Sequence, residues 1–330
     1  MNVQKSSSTP REIQLDVDLF SQEVTAGLLA EVKYLDSKYF YDVKGDALFQ
    51  EIMNSPEYYL SRCELEILSR QSKTISDTIM RHFKRFNLIE LGPGDATKSI
   101  HLLGALKQSD ANFSYTPIDI SKNIIQNLEA KLPNKIRGLE VKGLAGEYVE
   151  MLQKVVKSDD SPKVILFLGA NIGNLRAEDA LAFCKSIHSL LNKGDLLFIG
   201  FDLKKDPNTI LAAYNDMQGV TRDFNLNLLI RINEELGANF DLDSFEHYPT
   251  YDPVSGLCKS YLISKTEQSV YIEKSKATIL FKKHEPIFME VSKKYSIEET
   301  EKLASEANFS VEAHYQDTRS WFLDSLWKAE

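Results

Sequence analysis

Residues 87–98 read Asn-Leu-Ile-Glu-Leu-Gly-Pro-Gly-Asp-Ala-Thr-Lys, a pattern that predicts a strand, a tight turn and the start of a helix. The strand carries one acid near its end, Glu90, and the turn contains Gly92 and Gly94. Glycines allow backbone angles that a side chain would forbid, and they let the backbone approach a ligand closely. In an α/β sheet, the carboxyl end of such a strand is where a nucleotide-like ligand binds. The stretch therefore predicts an α/β sheet with a ligand site above this turn.

The spacing of the turn separates three kinds of nucleotide site. Thr97 stands where the dinucleotide fingerprint has its third glycine, and the Gly-x-x-x-x-Gly-Lys spacing of a phosphate-binding loop is missing. Glu-x-Gly-x-Gly after a strand is instead the usual first motif of S-adenosylmethionine (SAM)-dependent methyltransferases. Taken alone, the motif leaves an ordinary glycine-rich turn as an equal alternative.

Composition and charge narrow the classes of function. The chain has 330 residues, which is long enough for two domains, and its 43% hydrophobic content supports a full core. A formal net charge of −9 argues against a nucleic-acid partner, because such a partner normally requires a basic face. Since many methyltransferases act on RNA or DNA, the acidic balance favours a small-molecule substrate.

The sequence shows no signal for secretion or for a membrane. Residues 1–20 read as a polar, loosely held arm without the apolar segment of a signal peptide, and no apolar run approaches the ~20 residues of a membrane span. Cys63, Cys184 and Cys258 lie far apart, which indicates a reducing compartment without a disulfide or zinc framework. We expect a cytoplasmic protein that binds no metal.

Further strand–turn–helix units predict the rest of the sheet. A second strand at 113–120 presents Asp119 at its end, with Ser121 as a helix cap. A carboxylate there can accept hydrogen bonds from both hydroxyls of a ribose, although an Asp just before a helix can also serve only as a cap. After the third strand, Glu147 and Tyr148 form an acid–aromatic pair that can contact adenine, a weaker inference because such pairs are common on surfaces.

The fourth strand leads to a candidate for the reaction centre. Residues 164–168 are continuously apolar, as in a strand buried on both faces of a parallel sheet. Asn174 follows and offers a donor and an acceptor without a charge; the alternative is an Asn that stabilises its own turn. Helical patterns at 209–236 are too long for a simple crossover, and alternating segments between 247 and 290 predict antiparallel strands.

Several stretches, in one order from about residue 35 to the C-terminus, together resemble one family. They are Phe40-Tyr41-Asp42, Pro56-Glu57-Tyr58-Tyr59, Glu90-Leu91-Gly92-Pro93-Gly94, Ile172-Gly173-Asn174, Ala213-Tyr214-Asn215-Asp216, and Glu290-Val291-Ser292 with Lys294-Tyr295. The combination resembles the histidine-specific, SAM-dependent Nα-methyltransferases, which make trimethylhistidine (hercynine) for ergothioneine synthesis. It is far more specific than any one of its motifs.

The resemblance implies a fold and two ligand sites. The fold is a Rossmann-like class I SAM methyltransferase sheet, formed by residues 64–204 plus 294–330, with a smaller α+β substrate-binding domain from residues 1–63 plus 205–293. The protein would be a monomer. The expected cofactor site comprises Tyr41, Glu90, Gly92, Gly94, Lys98, Asp119, Glu147 and Tyr148.

The resemblance also implies the residues that hold an amino-acid substrate, L-histidine. Tyr58, Asn174 and Tyr214 fall where the family binds the amine and carboxylate, and Glu290 and Ser292 fall where it contacts the imidazole ring. Methyl transfer needs a neutral nitrogen aligned with the methyl–sulfur bond, so much of the catalysis can come from positioning. Tyr58 and Asn174 are the expected catalytic pair because they can orient that nitrogen.

Two departures from the family pattern leave alternatives open. Glu147 and Tyr148 replace an Asp-Phe pair, a change that keeps the acid and the ring. Ser260 stands where the family often has a methionine lining the substrate pocket, so a modified histidine or another aromatic amino acid, such as a tryptophan derivative, is an alternative substrate. A non-catalytic SAM-binding subunit is the alternative from another class. Retention of Glu290 and Ser292 favours histidine.

Overall fold

The computed structural model describes residues 17–330, so most of the predicted N-terminal arm, residues 1–16, lies outside the described residues. Within the described chain, no helix combines the length and apolar character that a membrane crossing requires. The helices are α1 (Val17–Leu29), α2 (Val43–Asn54), α3 (Tyr59–His82), α4 (Ser99–Gln108), α5 (Lys122–Lys135), α6 (Tyr148–Ser158), α7 (Ala177–His188), α8 (Pro207–Ala213), α9 (Val220–Leu236) and α10 (Ile297–Glu306).

The strands alternate with these helices in the first half of the chain and follow one another in the second. They are β1 (Arg85–Leu91), β2 (Asn112–Asp119), β3 (Glu140–Val141), β4 (Leu144–Ala145), β5 (Lys163–Phe167), β6 (Leu196–Asp202), β7 (Phe245–Asp252), β8 (Leu257–Ser264), β9 (Gln268–Ile272), β10 (Ala277–Phe281), β11 (Pro286–Lys293), β12 (Phe309–Gln316) and β13 (Phe322–Ala329).

The central sheet has the order β3-β2-β1-β5-β6-β13-β12, with β4 also paired to β2. Strands β2, β1, β5 and β6 run parallel, whereas β13 is antiparallel to β6 and to β12. The order reverses at β1, so the carboxyl end of β1 is a topological switch point where a ligand crevice opens. This topology confirms the predicted Rossmann-like methyltransferase sheet, and the C-terminal tail completes it as predicted.

Both faces of the central sheet are covered. Every residue of β5 and β6 is buried, because apolar cores lie on each side of them. Helices α3 and α4 contribute Ile67 and Leu102 to one core, and α7 contributes Ile187 to the other. Burial on both faces explains why these strands read as continuous apolar runs.

A third apolar core lies outside the central sheet. It joins α1, α2 and α9 to the small sheet β7-β8-β11 and the hairpin β9-β10, through side chains that include Phe20, Phe224, Leu262 and Ile279. The predicted inserted helices and antiparallel strands are therefore present. The boundaries assigned to the two domains stay a prediction.

Two element boundaries differ from the sequence-based expectation. Helix α4 begins at Ser99 rather than at Ala96, because Ala96 has a φ of 56° and cannot belong to a right-handed helix. The helical pattern at 209–236 is interrupted after Ala213 and restarts at Val220. Asp216 caps the restart by accepting hydrogen bonds from the backbone N–H groups of Val220 and Thr221, at 2.8 and 2.7 Å.

Candidate active site

The glycine turn after β1 has an open side and a covered side. Gly92 and Gly94 have φ values of 68° and 56°, which L-residues rarely adopt. A Cβ on Gly92 would lie 2.5 Å from the phenol oxygen of Tyr148, whereas a Cβ on Gly94 would meet nothing within 4 Å. Tyr148 therefore packs over Gly92, and the backbone at Gly94 is open to a ligand.

Glu90 supports the turn from below. Its carboxylate is 3% exposed and accepts a hydrogen bond from the phenol of Tyr115 at 2.5 Å. Burial raises the pKa of Glu90 to about 7, against the opposing effect of the Tyr115 hydrogen bond. The structure thus places the acid of the motif against a protein partner, and its cofactor role stays a prediction.

Asp119 lies at the end of β2, and its predicted contact with a ribose stays a prediction. Asp119 is 8% exposed, and its Oδ1 accepts the backbone N–H of Ser121 at 2.9 Å. Burial raises the pKa of this carboxyl. The cap reading of Asp119 is therefore correct in part, because one oxygen holds the start of α5, whose own cap is the Ser121 hydroxyl.

The predicted adenine pair divides into an exposed acid and a partly buried ring. Glu147 is exposed at the start of α6, and Tyr148 packs edge-on against Phe167, with ring centroids 6.2 Å apart. Burial, followed by the charges of Asp119 and Glu147, raises the pKa of Tyr148 to about 12. The ring lies between β5 and the glycine turn, on the side where the prediction needs it.

Lys98 is joined to a buried acid cluster beneath the turn. Its Nζ pairs with the fully buried carboxylate of Glu64. The other oxygen of Glu64 accepts the backbone N–H of Gly169 at 2.6 Å, which links α3 to the end of β5. Asp324 on β13 is buried beside them, and burial together with Glu64 raises its pKa well above the ordinary value. Lys98 is thereby held at the ligand edge by a side chain that the sequence analysis did not select.

On the substrate side, aromatic rings bring Tyr41 and Tyr58 together. The rings of both lie edge-on against Phe49, at centroid distances of 5.6 and 6.4 Å. Tyr41 keeps 43% of its surface exposed, and its pKa is raised by partial burial and then by the Glu290 carboxylate. Burial and the neighbouring Tyr214 raise the pKa of Tyr58. Two predicted substrate residues therefore lie next to Tyr58 and Tyr41.

Tyr214 and Ser292 are in direct contact. The Tyr214 phenol donates to the Ser292 hydroxyl at 2.8 Å, and Lys294 donates to both, at 2.7 and 2.9 Å. Lys294 also pairs with Asp202 at the end of β6, at 2.8 Å. Burial raises the pKa of Tyr214 well above its ordinary value. A phenol held in this way is a neutral hydrogen-bonding group.

Glu290 and Ser260 form a second polar pair on the same small sheet. They face each other across β11 and β8, and the Ser260 hydroxyl donates to the Glu290 carboxylate at 3.4 Å. Burial raises the pKa of Glu290 to about 7. Ser292 follows two positions later on β11, so its side chain points to the same face as that of Glu290.

Asn174 ends a short 3₁₀ helix, Asn171–Asn174, that follows β5. The residue is exposed, and the adjoining Gly173 packs so closely on β11 that a Cβ there would lie 2.7 Å from the carbonyl oxygen of Lys293. This contact places the end of β5 beside the strand that carries Glu290 and Ser292. The predicted amine-binding and ring-binding residues are thus on adjoining segments.

A buried ion network around Asp202, to which no sequence motif assigns a role, lies near these residues. Asp202 accepts hydrogen bonds from Lys205, from Lys294 and from the Tyr59 phenol, the last at 2.9 Å. Asp202 follows the same rule as Asp119, since both are acids at the carboxyl end of a parallel strand. That rule was the available signal for Asp202, whereas Lys294 stood within a family motif without an assigned role.

No group of three or more His, Cys, Asp or Glu side chains in residues 17–330 is arranged to hold a metal ion. The expectation that the protein needs no metal stays a prediction. The glycine turn and the acid at the end of β2 lie at the carboxyl edge of the parallel strands, and their role in binding a cofactor stays a prediction.

Comparison with known proteins identifies the family. Residues 20–329 match the family described as histidine-specific methyltransferase, SAM-dependent. The histidine N-alpha-methyltransferases of Mycolicibacterium smegmatis and Mycobacterium tuberculosis are 34% and 31% identical to this chain, each over 83% of it and 84% of the relative. Ergothioneine biosynthesis protein 1 of Schizosaccharomyces pombe is 31% identical over 91% of this chain, which spans 39% of that relative. The chain belongs to the histidine-specific, SAM-dependent methyltransferase family.

Proposed function

We propose that this protein transfers methyl groups from SAM to the α-amino nitrogen of L-histidine and continues to trimethylhistidine (hercynine), the ergothioneine precursor. Family membership supports the reaction class. The observation that carries the substrate assignment is the half-buried Glu290 carboxylate, which shares one strand face with Ser292 at the edge of the sheet. An acid in this position can accept a hydrogen bond from a ring N–H.

The polar side chains of the proposed ring pocket favour an imidazole ring. Glu290 accepts a hydrogen bond from one ring N–H, and Ser292 contacts the second ring nitrogen. A site with buried polar groups rejects rings that leave those groups unpaired, often by large factors. Indole offers a single N–H, so it satisfies Glu290 and leaves Ser292 without a partner. This reasoning favours histidine over tryptophan derivatives.

The reaction itself needs alignment more than acid or base strength. The neutral amine nitrogen forms a bond to the methyl carbon as the methyl–sulfur bond breaks, and the methylated nitrogen then loses a proton before the next transfer. In our proposal Tyr58 and Asn174 orient the nitrogen, and Tyr214 holds the carboxylate. A phenol and an amide orient a lone pair without trapping the amine in an ion pair. Positioning of this kind supplies a large share of the rate of a displacement.

The cofactor side fits SAM through its backbone and its acids. SAM supplies the electrophilic methyl group when it is bound. Gly92 and Gly94 leave the turn open for its amino-acid portion, and Lys98 at the same edge can pair with its carboxylate. Asp119 accepts from the ribose hydroxyls, and Glu147 with Tyr148 contacts the adenine. Tyr41 is proposed to contact SAM as well, from a position edge-on to Phe49, the ring that Tyr58 also contacts.

We further propose that the third apolar core marks the substrate-binding domain, formed by residues 1–63 plus 205–293, and that residues 64–204 plus 294–330 bind SAM. The protein is proposed to act as a cytoplasmic monomer that contacts neither nucleic acid nor membrane.

Ser260 supports one alternative substrate class. It occupies the pocket position where the family often has methionine, and its hydroxyl reaches Glu290. A smaller and more polar wall leaves room for a substituted imidazole, so a modified histidine is the second candidate.

Incubation of the purified protein with labelled SAM and each of the twenty amino acids tests the proposal. We expect label in mono-, di- and trimethylhistidine and none in the other amino acids. Methylation of tryptophan or tyrosine without histidine would contradict the assignment. Absence of turnover with every free amino acid, together with measurable SAM binding, would favour a modified histidine.

A further inference from the structure

Lys294 is a fully buried cation that lies just beneath the proposed ring pocket. Its side chain is 0% exposed. It has three N–H groups, and the structure gives each an acceptor: Asp202 at 2.8 Å, the Tyr214 phenol at 2.7 Å and the Ser292 hydroxyl at 2.9 Å. Because a lysine ammonium donates and never accepts, it fixes the direction of all three bonds.

This direction decides what the Ser292 hydroxyl can offer. A serine oxygen has two lone pairs and one hydrogen. One lone pair accepts from Lys294, and the other accepts from the Tyr214 phenol, at 2.8 Å, because a phenol is more acidic than a serine hydroxyl and is the better donor of the two. The hydrogen of Ser292 takes part in neither bond. Ser292 is therefore saturated as an acceptor and remains able to donate.

The neighbour of Ser292 has the opposite character. Glu290 lies two residues away on the same face of β11, and above about pH 7, where it is ionised, its carboxylate accepts hydrogen bonds only. One strand face thus presents an acceptor at Glu290 and a donor at Ser292. Neutral imidazole presents the complementary pair, because one ring nitrogen carries N–H and the other carries a lone pair.

We propose that Lys294 is a positioning residue that locks Ser292 as a hydrogen-bond donor, so that the pocket selects a neutral ring with one N–H and one unprotonated nitrogen. The inference rests on the proposed function and extends it to a residue that touches no substrate. Lys294 acts through Ser292 and Tyr214. Without Lys294, the Ser292 hydroxyl can rotate and accept a hydrogen bond. The pocket then no longer distinguishes the ring N–H from the unprotonated ring nitrogen.

Lys205 provides a matched control. It is 5% exposed and pairs with the same Asp202, but its other contacts are the Tyr59 phenol, at 2.9 Å, and the backbone carbonyl of Leu203. None of these is a group proposed to bind the substrate. Lys205→Met and Lys294→Met therefore remove the same charge from the same carboxylate, and only the second frees Ser292.

The experiment measures the KM and kcat of histidine, and the inhibition constant of β-(2-thienyl)alanine, whose ring has no nitrogen. We expect Lys294→Met to raise the KM of histidine about tenfold, as loss of one hydrogen bond to a buried group does, and to leave the thienylalanine constant within about threefold. Lys205→Met should leave both constants within about threefold. Equal weakening of the two ligands by Lys294→Met, or equal effects of the two lysine variants, would show a structural role and overturn the proposal.

Ser292→Ala keeps the test decisive if Lys294→Met does not fold. We expect it to raise the KM of histidine by the same factor of about ten, and the double variant Ser292→Ala with Lys294→Met to lose little more, because residues that act through one contact are not additive. An unchanged KM in Ser292→Ala, or additive effects in the double variant, would refute the role of Lys294. If the wild-type protein fails to methylate histidine, the proposed function is what fails, and the lysine comparison is made with the amino acid that is methylated.

Discussion

The cofactor side and the substrate side of the site hold their buried charges by different means. Below the glycine turn, Glu90 and Asp324 are acids whose pKa values are raised by burial, so protons reduce their charge. Below the ring pocket, Asp202 is equally buried but is held by Lys205 and Lys294. Protonation reduces the charge of Glu90 and Asp324, which lie near the Lys98–Glu64 ion pair, whereas two lysines compensate the charge of Asp202.

This difference predicts which substitutions each side of the site tolerates. An ion pair leaves an uncompensated cation when its acid is removed, whereas a protonated acid can be replaced by an amide without leaving any charge behind. On the substrate side, two ion pairs, with Lys205 and Lys294, compensate the charge of Asp202. The cofactor side relies instead on backbone shape, which the two glycines provide. Variants on the two sides should therefore fail in different ways.

The largest expected effect comes from Asp202→Asn. The change leaves Lys205 and Lys294 buried without their carboxylate, and breaking a buried pair in this way costs about 3–5 kcal/mol. We expect a fall of that size in the free energy of unfolding, measured with urea at pH 8. A loss below about 1 kcal/mol would mean that the network is hydrated in solution and that the contrast between the two sides is wrong.

Glu290→Ala should break the substrate side alone. The ring N–H of histidine loses a charged acceptor, so we expect the KM of histidine to rise on the order of 100-fold, since hydrogen bonds to charged groups contribute about 1.5–3 kcal/mol. The dissociation constant of SAM, measured by calorimetry, should change less than about twofold because Glu290 is proposed to contact the imidazole ring and not SAM.

A suitable control is Glu285→Ala. Glu285 lies just before β11 and forms an ion pair with Lys33. This variant should leave both constants unchanged. Equal losses of histidine and SAM affinity in Glu290→Ala would make Glu290 a structural residue.

Glu90→Gln should stabilise the protein at high pH and not at low pH. Burial raises the pKa of Glu90 from 4.5 to about 7. A carboxyl with a raised pKa contributes stability below its unfolded-state value and loses that contribution as pH rises through 7. The amide keeps an acceptor for Tyr115 and has no charge to bury. We expect a gain of about 1–2 kcal/mol at pH 8 over pH 5, less than the full shift allows because solvent relaxes around the site. If the free energy of unfolding of Glu90→Gln differs from that of the wild type by the same amount at pH 5 and at pH 8, protonation of this acid is contradicted.

A pair of glycine variants separates backbone shape from strain. Gly92→Ala and Gly94→Ala both place a side chain at positive φ, which costs about 1 kcal/mol in either case. Only Gly92→Ala adds a contact, with Tyr148, which must move away from the adenine position. We expect the SAM dissociation constant to rise about tenfold more in Gly92→Ala than in Gly94→Ala, as a further ~1.4 kcal/mol predicts. The opposite order would show that SAM contacts the turn at Gly94 so closely that a methyl group is excluded there.

The fold was more predictable than the site because its signals are local. The apolar run at 164–168 and the glycine turn at 92–94 each predict the local element that they form. The structure confirms both. The start of α4 was missed because Ala96 adopts a left-handed angle, within a turn where its N–H donates to the Pro93 carbonyl. A single residue type does not reveal such an angle.

The candidate residues were found through motifs, whereas their supports were not. Glu64 and Asp324 lie 260 positions apart in the chain and meet only when α3 packs on the sheet, so no spacing rule connects them. Lys294 was visible as part of a motif, but its three acceptors come from β6, β11 and the loop after α8. Long-range polar networks of this kind are decided by packing, which one sequence does not display.

The smallest expected effect tests whether stability alone can disturb the substrate side. Ser296 begins α10 two residues after Lys294, and it forms a capping box in which its hydroxyl accepts the Glu299 N–H at 3.2 Å. Ser296→Ala should lower the free energy of unfolding by about 1 kcal/mol, the usual value of an N-cap. The KM of histidine and the affinity for SAM should stay at their wild-type values. A rise in the KM of histidine would mean that loosening this segment is enough to disturb Ser292, and the effect of Lys294→Met would then have to be corrected for lost stability before it reports on hydrogen-bond direction.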